Sequence, residues 1–323
     1  MRYFGHRVLQ SIFLLIGVSL LSFAFVDLAP GNFFDEMRLN PQISRETVAN
    51  LQRQYGMERA FPIRYVRWLK SVARGEFGFS FAYNAPVAPL LWSRARNTLL
   101  LTGSASLLAW LFALPLGILN AAKSRGWIDC AGGLVTSVLL ATPDLLLALG
   151  LLWLALRTHW LPVGGILLPE SAGRSEWQRL KGIGVHSAGP VLALVIGSLP
   201  TLTRHIRTAM IEGLDSPCAR AVRAHGIPRW RIVLRHALPV AASPLISLFG
   251  LSLGSLLSAS LLTEVVMSWP GLGPLLFEAI LARDLYVVIG AVMFASLFLI
   301  GGMLLGDVLL FVADPRIRTE RLA

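Results

Sequence analysis

Five arginines and two histidines fall between Ser216 and Pro239, in the run SPCARAVRAHGIPRWRIVLRHALP. Guanidinium groups meet carboxylates and phosphates through a fixed fork of donors, so the chemistry on offer is recognition of an acidic surface or anion. Elsewhere, single acids stand in apolar surroundings: Asp144 follows Pro143, and Glu264 precedes Ser268, Trp269, Pro270 and Gly271. An ionisable group at membrane depth is costly, and it marks either a structural pair or a solute path. Covalent chemistry is not expected. His6, His159, His186, His205, His225 and His236 show no H-E-x-x-H spacing, and no serine is read as a nucleophile elbow between a strand and a helix. The expected catalytic set and the expected metal set are both empty.

The elements that must position these residues are greasy. Of the 323 residues 55% are hydrophobic and only 15% charged, and the mean hydropathy is +0.64. A soluble domain carries about a quarter charged residues, so this composition describes a helical membrane protein. The net charge of +11 does not point to nucleic acid. Arginine beside membrane spans is the signature of cytoplasmic loops, and no aromatic platform or zinc knuckle accompanies it. Cys130 and Cys218 are too few and too far apart in kind of context for a disulfide framework.

The pattern predicts an all-α polytopic fold with six transmembrane helices. A first span runs from about Val8 to Leu28, within residues 1–30, too long for the apolar core of a signal peptide. Residues 31–96 are polar and form an extracytoplasmic helical insertion, with Ser44 capping one helix through about Gln54 and Pro62 opening another. In that second helix Tyr65, Trp68, Leu69 and Val72 make one apolar face. The insertion holds ten Lys and Arg, an exception that long translocated loops tolerate. A transmembrane core over 97–312 follows, with spans at about 97–120, 128–156, 188–203, 238–267 and 285–312. Starting from a cytoplasmic amino terminus, the short basic loops and the tail 313–323 then all face the cytoplasm.

Within the core, residues 204–237 form a cytoplasmic loop of defined shape. Ser216 and Pro217 are an N-cap and first-turn pair; Gly226 ends that helix in a left-handed turn, and Pro228 opens the next. The first helix should put Cys218, Ala221 and Val222 on one face and Arg220 and Arg223 on another; in the second, Trp230, Val233 and Leu234 should oppose Arg231 and Arg235. Two readings fit this pattern. The loop is an interfacial element whose arginines meet anionic headgroups, or a small-faced helix that seats in a partner's cleft.

The same loop resembles the cytoplasmic coupling loop of binding-protein-dependent ABC importer permeases, whose pattern is E-A-A, three residues, G, nine residues, I-x-L-P. Here those places read Arg220-Ala221-Val222, Gly226, and His236-Ala237-Leu238-Pro239. The initial acid and the isoleucine are missing, but Arg220, Arg223 to Gly226 and Arg235 to Leu238 are similar to the dipeptide, oligopeptide and nickel branch of that family. TEVVMSWPGLG, ARDLYVVIG, DVLLFVADPRIR, FVDLAPGN and GEFGFS resemble further blocks of that branch, in the same order along the whole chain.

The resemblance implies a type I ABC importer permease fold, in the subunit type that carries a large external insertion, in a prokaryotic inner membrane. It implies a homologous second permease, two ATP-binding subunits that hold ATP and magnesium, an external solute-binding protein and lipid as partners, with no cofactor in this chain. Its coupling residues fall on Arg220, Ala221, Val222, Arg223, Gly226, Pro228, Arg231 and Arg235. Asp144 is the candidate for the substrate path, the competing reading being a carboxylate tied to Thr142 at a bend. Glu264, Trp269, Pro270 and Gly271 are candidates for an external gate, the competing reading being a helix-ending loop with an interfacial tryptophan. The expected solute is a dipeptide or oligopeptide, with nickel chelate, opine or oligosaccharide as alternatives. A secondary transporter or an intramembrane enzyme are the alternatives outside the class.

Overall fold

The computed structural model describes residues 2–28, 34, 37–38, 44–54, 60–124, 126–162 and 176–313. The expected tail 313–323 lies outside them except for Ala313. The chain divides into two compact units, one made of Met1–Thr98 with Pro270–Phe298 and the other of Leu99–Trp269 with Leu299–Ala323.

In the first unit, α1 (Arg2–Leu28) is the expected first span. Ser44 caps α2 (Arg45–Gln54), its Oγ accepting from the Thr47 amide at 3.1 Å. Helix α3 (Phe61–Val72) begins with Pro62 in its first turn and buries Tyr65 and Trp68. Those rings close on Phe23 of α1 at 5.6 and 6.0 Å, and the Tyr65 hydroxyl meets Ser19 Oγ at 2.9 Å. The predicted apolar face is thus the buried one, and α1 is what it packs on.

A short antiparallel ribbon, β1 (Phe79–Ser80) and β2 (Ala85–Pro86), departs from the all-helical expectation. Asn84, at φ 48°, makes the left-handed turn that two such short strands require. Buried Asp284 holds the ribbon, accepting from Ser80 Oγ at 2.7 Å and from the Ala82 amide at 3.1 Å. Tyr83 donates to Glu278. Burial first, and then the hydrogen bond and charge of Glu278, push the Tyr83 hydroxyl up to about 12, with Arg94 opposing.

The span expected at 97–120 is the latter part of a longer helix, α4 (Val87–Ala122). The run expected to cross at 128–156 is broken. Helices α5 (Trp127–Ala141) and α6 (Asp144–Thr158) meet at 95°. Pro143 causes this: it lacks an amide to donate, and it holds Thr142 in an extended conformation at φ −92°, ψ 119°. Helix α7 (Glu176–Leu214) extends well beyond the expected 188–203 at both ends.

Helix α8 (Pro217–Ala224) and α9 (Arg229–Ile232) follow, and a π-helical turn over Val233–Ala237 leads into α10 (Leu238–Val266). The chain ends its described part with the short α11 (Leu272–Leu281) and the long α12 (Leu285–Ala313). Among the described residues five helices are long and apolar enough to cross a membrane, and the bent α5–α6 pair makes a sixth if it counts as one span. Exposed Phe13, Leu107 and Leu134 are what a lipid-facing surface requires.

The core of the second unit lies where α7 packs on α5, α6 and α10. Ala105, Ala109 and Ala113 form a small-residue stripe on α4 that is completely buried. Asp129 of α5 grips Arg207 of α7 through two hydrogen bonds of 2.6 and 2.8 Å. Helices α10 and α12 approach to backbone contact. A Cβ on Gly250 would lie 2.9 Å from the Gly306 Cα, and one on Gly306 would lie 2.8 Å from the Gly250 Cα.

The letters Gly250-Leu251-Ser252-Leu253-Gly254 match a nucleophile elbow only as letters. They lie inside α10, where Ser252 Oγ accepts from Trp110 Nε1 at 3.0 Å and donates to the Phe249 carbonyl at 2.8 Å. No strand precedes that serine and its hydroxyl is committed, so the geometry of an elbow is absent there.

Candidate functional site

The arginine-rich stretch folds as its caps dictate. Ser216, at φ −62° and ψ 150°, accepts from the Ala219 amide at 3.3 Å, and Pro217 occupies the first helical position where an amide is not needed. The helix closes with the His225 and Gly226 amides on the Val222 and Arg223 carbonyls at 3.2 and 3.1 Å. Gly226 then turns the chain at φ +74°, a conformation open to glycine and costly to a residue with a Cβ. Pro228 caps α9, its carbonyl accepting from the Arg231 and Ile232 amides.

The faces differ from those the periodicity predicts. Ala219 is fully buried and Val222 half-buried, whereas Cys218 and Ala221 are exposed. In the second helix Ile232, Val233 and Ala237 are buried, while Trp230 and Leu234 face out at 59% and 50% exposure. Trp230 lies before the π-helical turn, and nothing in the structure explains its outward face. From Leu234 onward that turn is the reason. Its Leu238 amide reaches back five residues to the Val233 carbonyl, so the inward face advances relative to an ideal helix. The seat is tight as well. Gly213, near the end of α7, lies so close to the Ala237 carbonyl that a Cβ would sit 2.6 Å from its oxygen.

What remains outside is a small-residue surface, Ala221, Gly226 and Pro228, flanked by exposed Arg220, Arg223, Arg229, Arg231 and Arg235. None of these arginines has an ion pair among the described residues. Arg231 stacks its guanidinium 5.2 Å from the Trp230 ring centroid. Eight predicted coupling residues are therefore brought together on one continuous element, with Val222 alone turned partly inward.

Asp144 lies at the start of α6 and lines a cavity of about 840 Å³ within the second unit. Its Oδ1 rests against bare backbone, since a Cβ on Gly197 would come within 2.8 Å of it. Thr142 does not hold it: the Thr142 hydroxyl donates to the Val138 carbonyl at 3.0 Å. Of the competing reading, the tie between Asp144 and that hydroxyl is corrected, while the bend at Pro143 that it expected is present.

Helix α7 contributes Gly197, Thr201, His205, Thr208 and Glu212 to the cavity, and α10 adds Ser247, Ser255 and Thr263. Spacings of three and four residues put the α7 set on one face. Sequence reasoning missed this stripe, though its period was readable once α7 was known to extend to Leu214. From Gly197 to Glu212 the stripe rises roughly 22 Å, and the coupling element begins within a turn of its end.

The candidate gate residues divide between the units. Glu264 and Trp269 belong to the larger one, both buried, with the Trp269 amide donating to the Glu264 carbonyl at 2.8 Å. At 1% exposure Trp269 is a core residue, which overturns the reading of an interfacial tryptophan. Ser268 makes a left-handed turn at φ 54°. In the other unit, the Pro270 carbonyl accepts from Asn97 Nδ2 at 2.8 Å, and the Leu272 amide donates to Thr98 Oγ1 at 2.8 Å. Gly271 is buried at the N-cap of α11. No group of three or more His, Cys, Asp or Glu among the described residues has metal-binding geometry.

The family described as binding-protein-dependent transport system inner membrane component matches residues 113–319. The chain belongs to this family. It is therefore a component of a binding-protein-dependent transport system of the inner membrane, as the coupling-loop pattern led one to expect. It is 31% identical over 317 residues to the oligopeptide transport system permease protein AppB of Bacillus subtilis, covering 98% of each. It is also 31% identical over 326 residues to the dipeptide transport system permease protein DppB of Escherichia coli, covering 95% of each.

Among solved structures, two crystal forms of inward-facing MetNI methionine ABC transporter share the fold of this permease. They match at TM-scores of 0.52 and 0.57 with 18% and 17% identity, covering 70% of this chain and 96% of theirs.

Proposed function

We propose that this permease imports peptides, as the membrane subunit of an ATP-driven transporter. The observation that carries the reading is the near full-length likeness to oligopeptide and dipeptide permeases. The cavity supports it, since about 840 Å³ lies within the range of small-molecule sites. Asp144 meets the ammonium end of the solute, and the hydroxyls and His205 of the α7 stripe give hydrogen bonds that do not depend on side-chain identity. In this reading the chain carries out no covalent step. ATP and magnesium are held by two partner ATPase subunits, a homologous permease completes the path, and an external solute-binding protein delivers the peptide.

Residues Arg220, Ala221, Val222, Arg223, Gly226, Pro228, Arg231 and Arg235 transmit ATPase closure. The small outward surface seats in a cleft of the ATPase, and the free guanidinium groups pair with acidic groups around it. Closure then biases α7, and with it the cavity stripe, between two arrangements. The segment Glu264 to Gly271 gates the external side, and both termini are cytoplasmic. Uptake of labelled dipeptides into cells expressing the complete transporter tests the proposal. Uptake should require ATP and survive collapse of ion gradients, whereas gradient-driven uptake without ATP would refute it.

A further inference from the structure

One face of α3 has no part in the packing described above. Tyr65 and Trp68 turn inward to α1, but Ile63 and Val66 are 54% and 48% exposed, and Arg67, Lys70 and Arg74 are exposed beside them. Among the described residues those three cations have no ion pair. Arg64, one turn before Arg67, is paired with Asp27 of α1. Arg64, Arg67 and Ser71 line a cavity of about 460 Å³ within the first unit, together with Glu76 and Tyr286. A shallower groove beside it is lined by Ile63, Val66, Lys70 and Arg74.

The position of this face along α1 identifies what it meets. Helix α1 is apolar enough to cross a membrane over Gly5–Leu28, and α3 touches it at Ser19, Phe23 and Asp27. Ser19 lies roughly 14 Å along the axis from the end of that helix. Helix α3 therefore packs along the last ten residues of a membrane span, Ser19 to Leu28. Its Arg64 pairs with Asp27 one residue from the end of that span, where polar heads meet acyl chains. Aliphatic and cationic side chains interleaved on one helix face are the arrangement that such a boundary holds. A soluble acidic partner would satisfy the cations but leave Ile63 and Val66 against water.

We propose that this face and its cavity bind the phosphate headgroup of an anionic phospholipid. Arg67 and Lys70 contact the phosphate, Ser71 donates to it, and Ile63 and Val66 lie against the acyl chains. Arg74 extends the positive surface, while Glu76 weakens it. The inference needs only that the chain spans a membrane, so it stands or falls separately from the identity of the solute.

The test is lipid retention by the purified transporter in native mass spectrometry, from mixed phosphatidylglycerol and phosphatidylcholine micelles. The wild type should retain phosphatidylglycerol preferentially. R67A and K70A should each lower that retention about fivefold, and their combination should multiply the losses. E76Q should raise it, and R157A, which removes a cation from another helix, should leave it unchanged. Inorganic phosphate and glycerol phosphate should not compete at concentrations where the lipid saturates. Equal retention of phosphatidylcholine, full competition by free phosphate, or unchanged retention in the double variant would overturn the proposal. So would loss of solute-binding-protein docking in that variant with lipid retention intact, which would assign the face to a protein partner.

Discussion

The turn at Gly226 isolates a backbone effect from a packing effect, and this makes its substitution series quantitative. A Cβ built there meets nothing within 4 Å, while φ is +74°. The cost of any side chain is thus conformational alone. For alanine it is about 1–2 kcal/mol, or roughly a five- to thirtyfold rise in the open population of the turn. Valine, branched at Cβ, costs up to about 3 kcal/mol. Asparagine, which tolerates this region, should cost well under about 1 kcal/mol; Asn84 already adopts φ 48° in this chain.

Limited trypsin digestion reads the local effect, because Arg223, Arg229 and Arg231 flank the turn and cleavage follows the open population when reclosure is fast. The expected order of cleavage is valine, alanine, asparagine, wild type. Transport per ATP hydrolysed in proteoliposomes, measured on the same variants, should fall in the same order. A valine variant that is cut no faster than wild type would refute the conformational argument. Faster cutting with undiminished coupling would refute the coupling role and leave the turn standing.

Three further outcomes are expected. D144N should raise the KM for peptides with a free amino terminus about tenfold and spare amino-acetylated ones; G197A, which places a Cβ 2.8 Å from Asp144 Oδ1, should do the same through displacement, with membrane insertion unchanged. G250V or G306V should destabilise the purified protein by about 1–3 kcal/mol or more through backbone overlap, whereas G301A, where nothing lies within 4 Å, should be neutral or stabilising in the same thermal-unfolding assay. For Tyr83, a folded value raised to about 12 means stabilisation present below the unfolded value and lost as pH rises through the folded one. The advantage of wild type over Y83F in unfolding temperature should accordingly shrink from about pH 10 to about pH 12.

Local chemistry was legible in the sequence where the partners are near in the chain. Ser44, Ser216, Pro217 and Gly226 declare helix ends because their partners lie within a few residues. Long apolar runs declare spans, yet hydropathy has no direction, so a bend at Pro143 could be expected from the proline while its 95° angle could not. The face of Leu234 was misread because a π-helical turn cannot be seen in an ideal period. The competing reading of Trp269 as interfacial could not be dismissed from sequence, because a tryptophan near a helix end suits an interface and a core equally until its neighbours are known. The cavity was half visible. Asp144 stood out as a charge in an apolar run, but the hydroxyls facing it are ordinary residues that only the packing of α7 and α10 brings together.

The contact between α10 and α12 constrains how this protein can change over generations. In most helix pairs a side chain enlarged on one side can be accommodated by shrinking its neighbour. Between Gly250 and Gly306 no such exchange exists, because both residues are already the smallest available and the obstacle is the opposing main chain. Two separate substitutions cannot rescue each other there; any enlargement must be answered by moving a whole helix. The seam is thus a place where sequence drift is blocked on both sides at once.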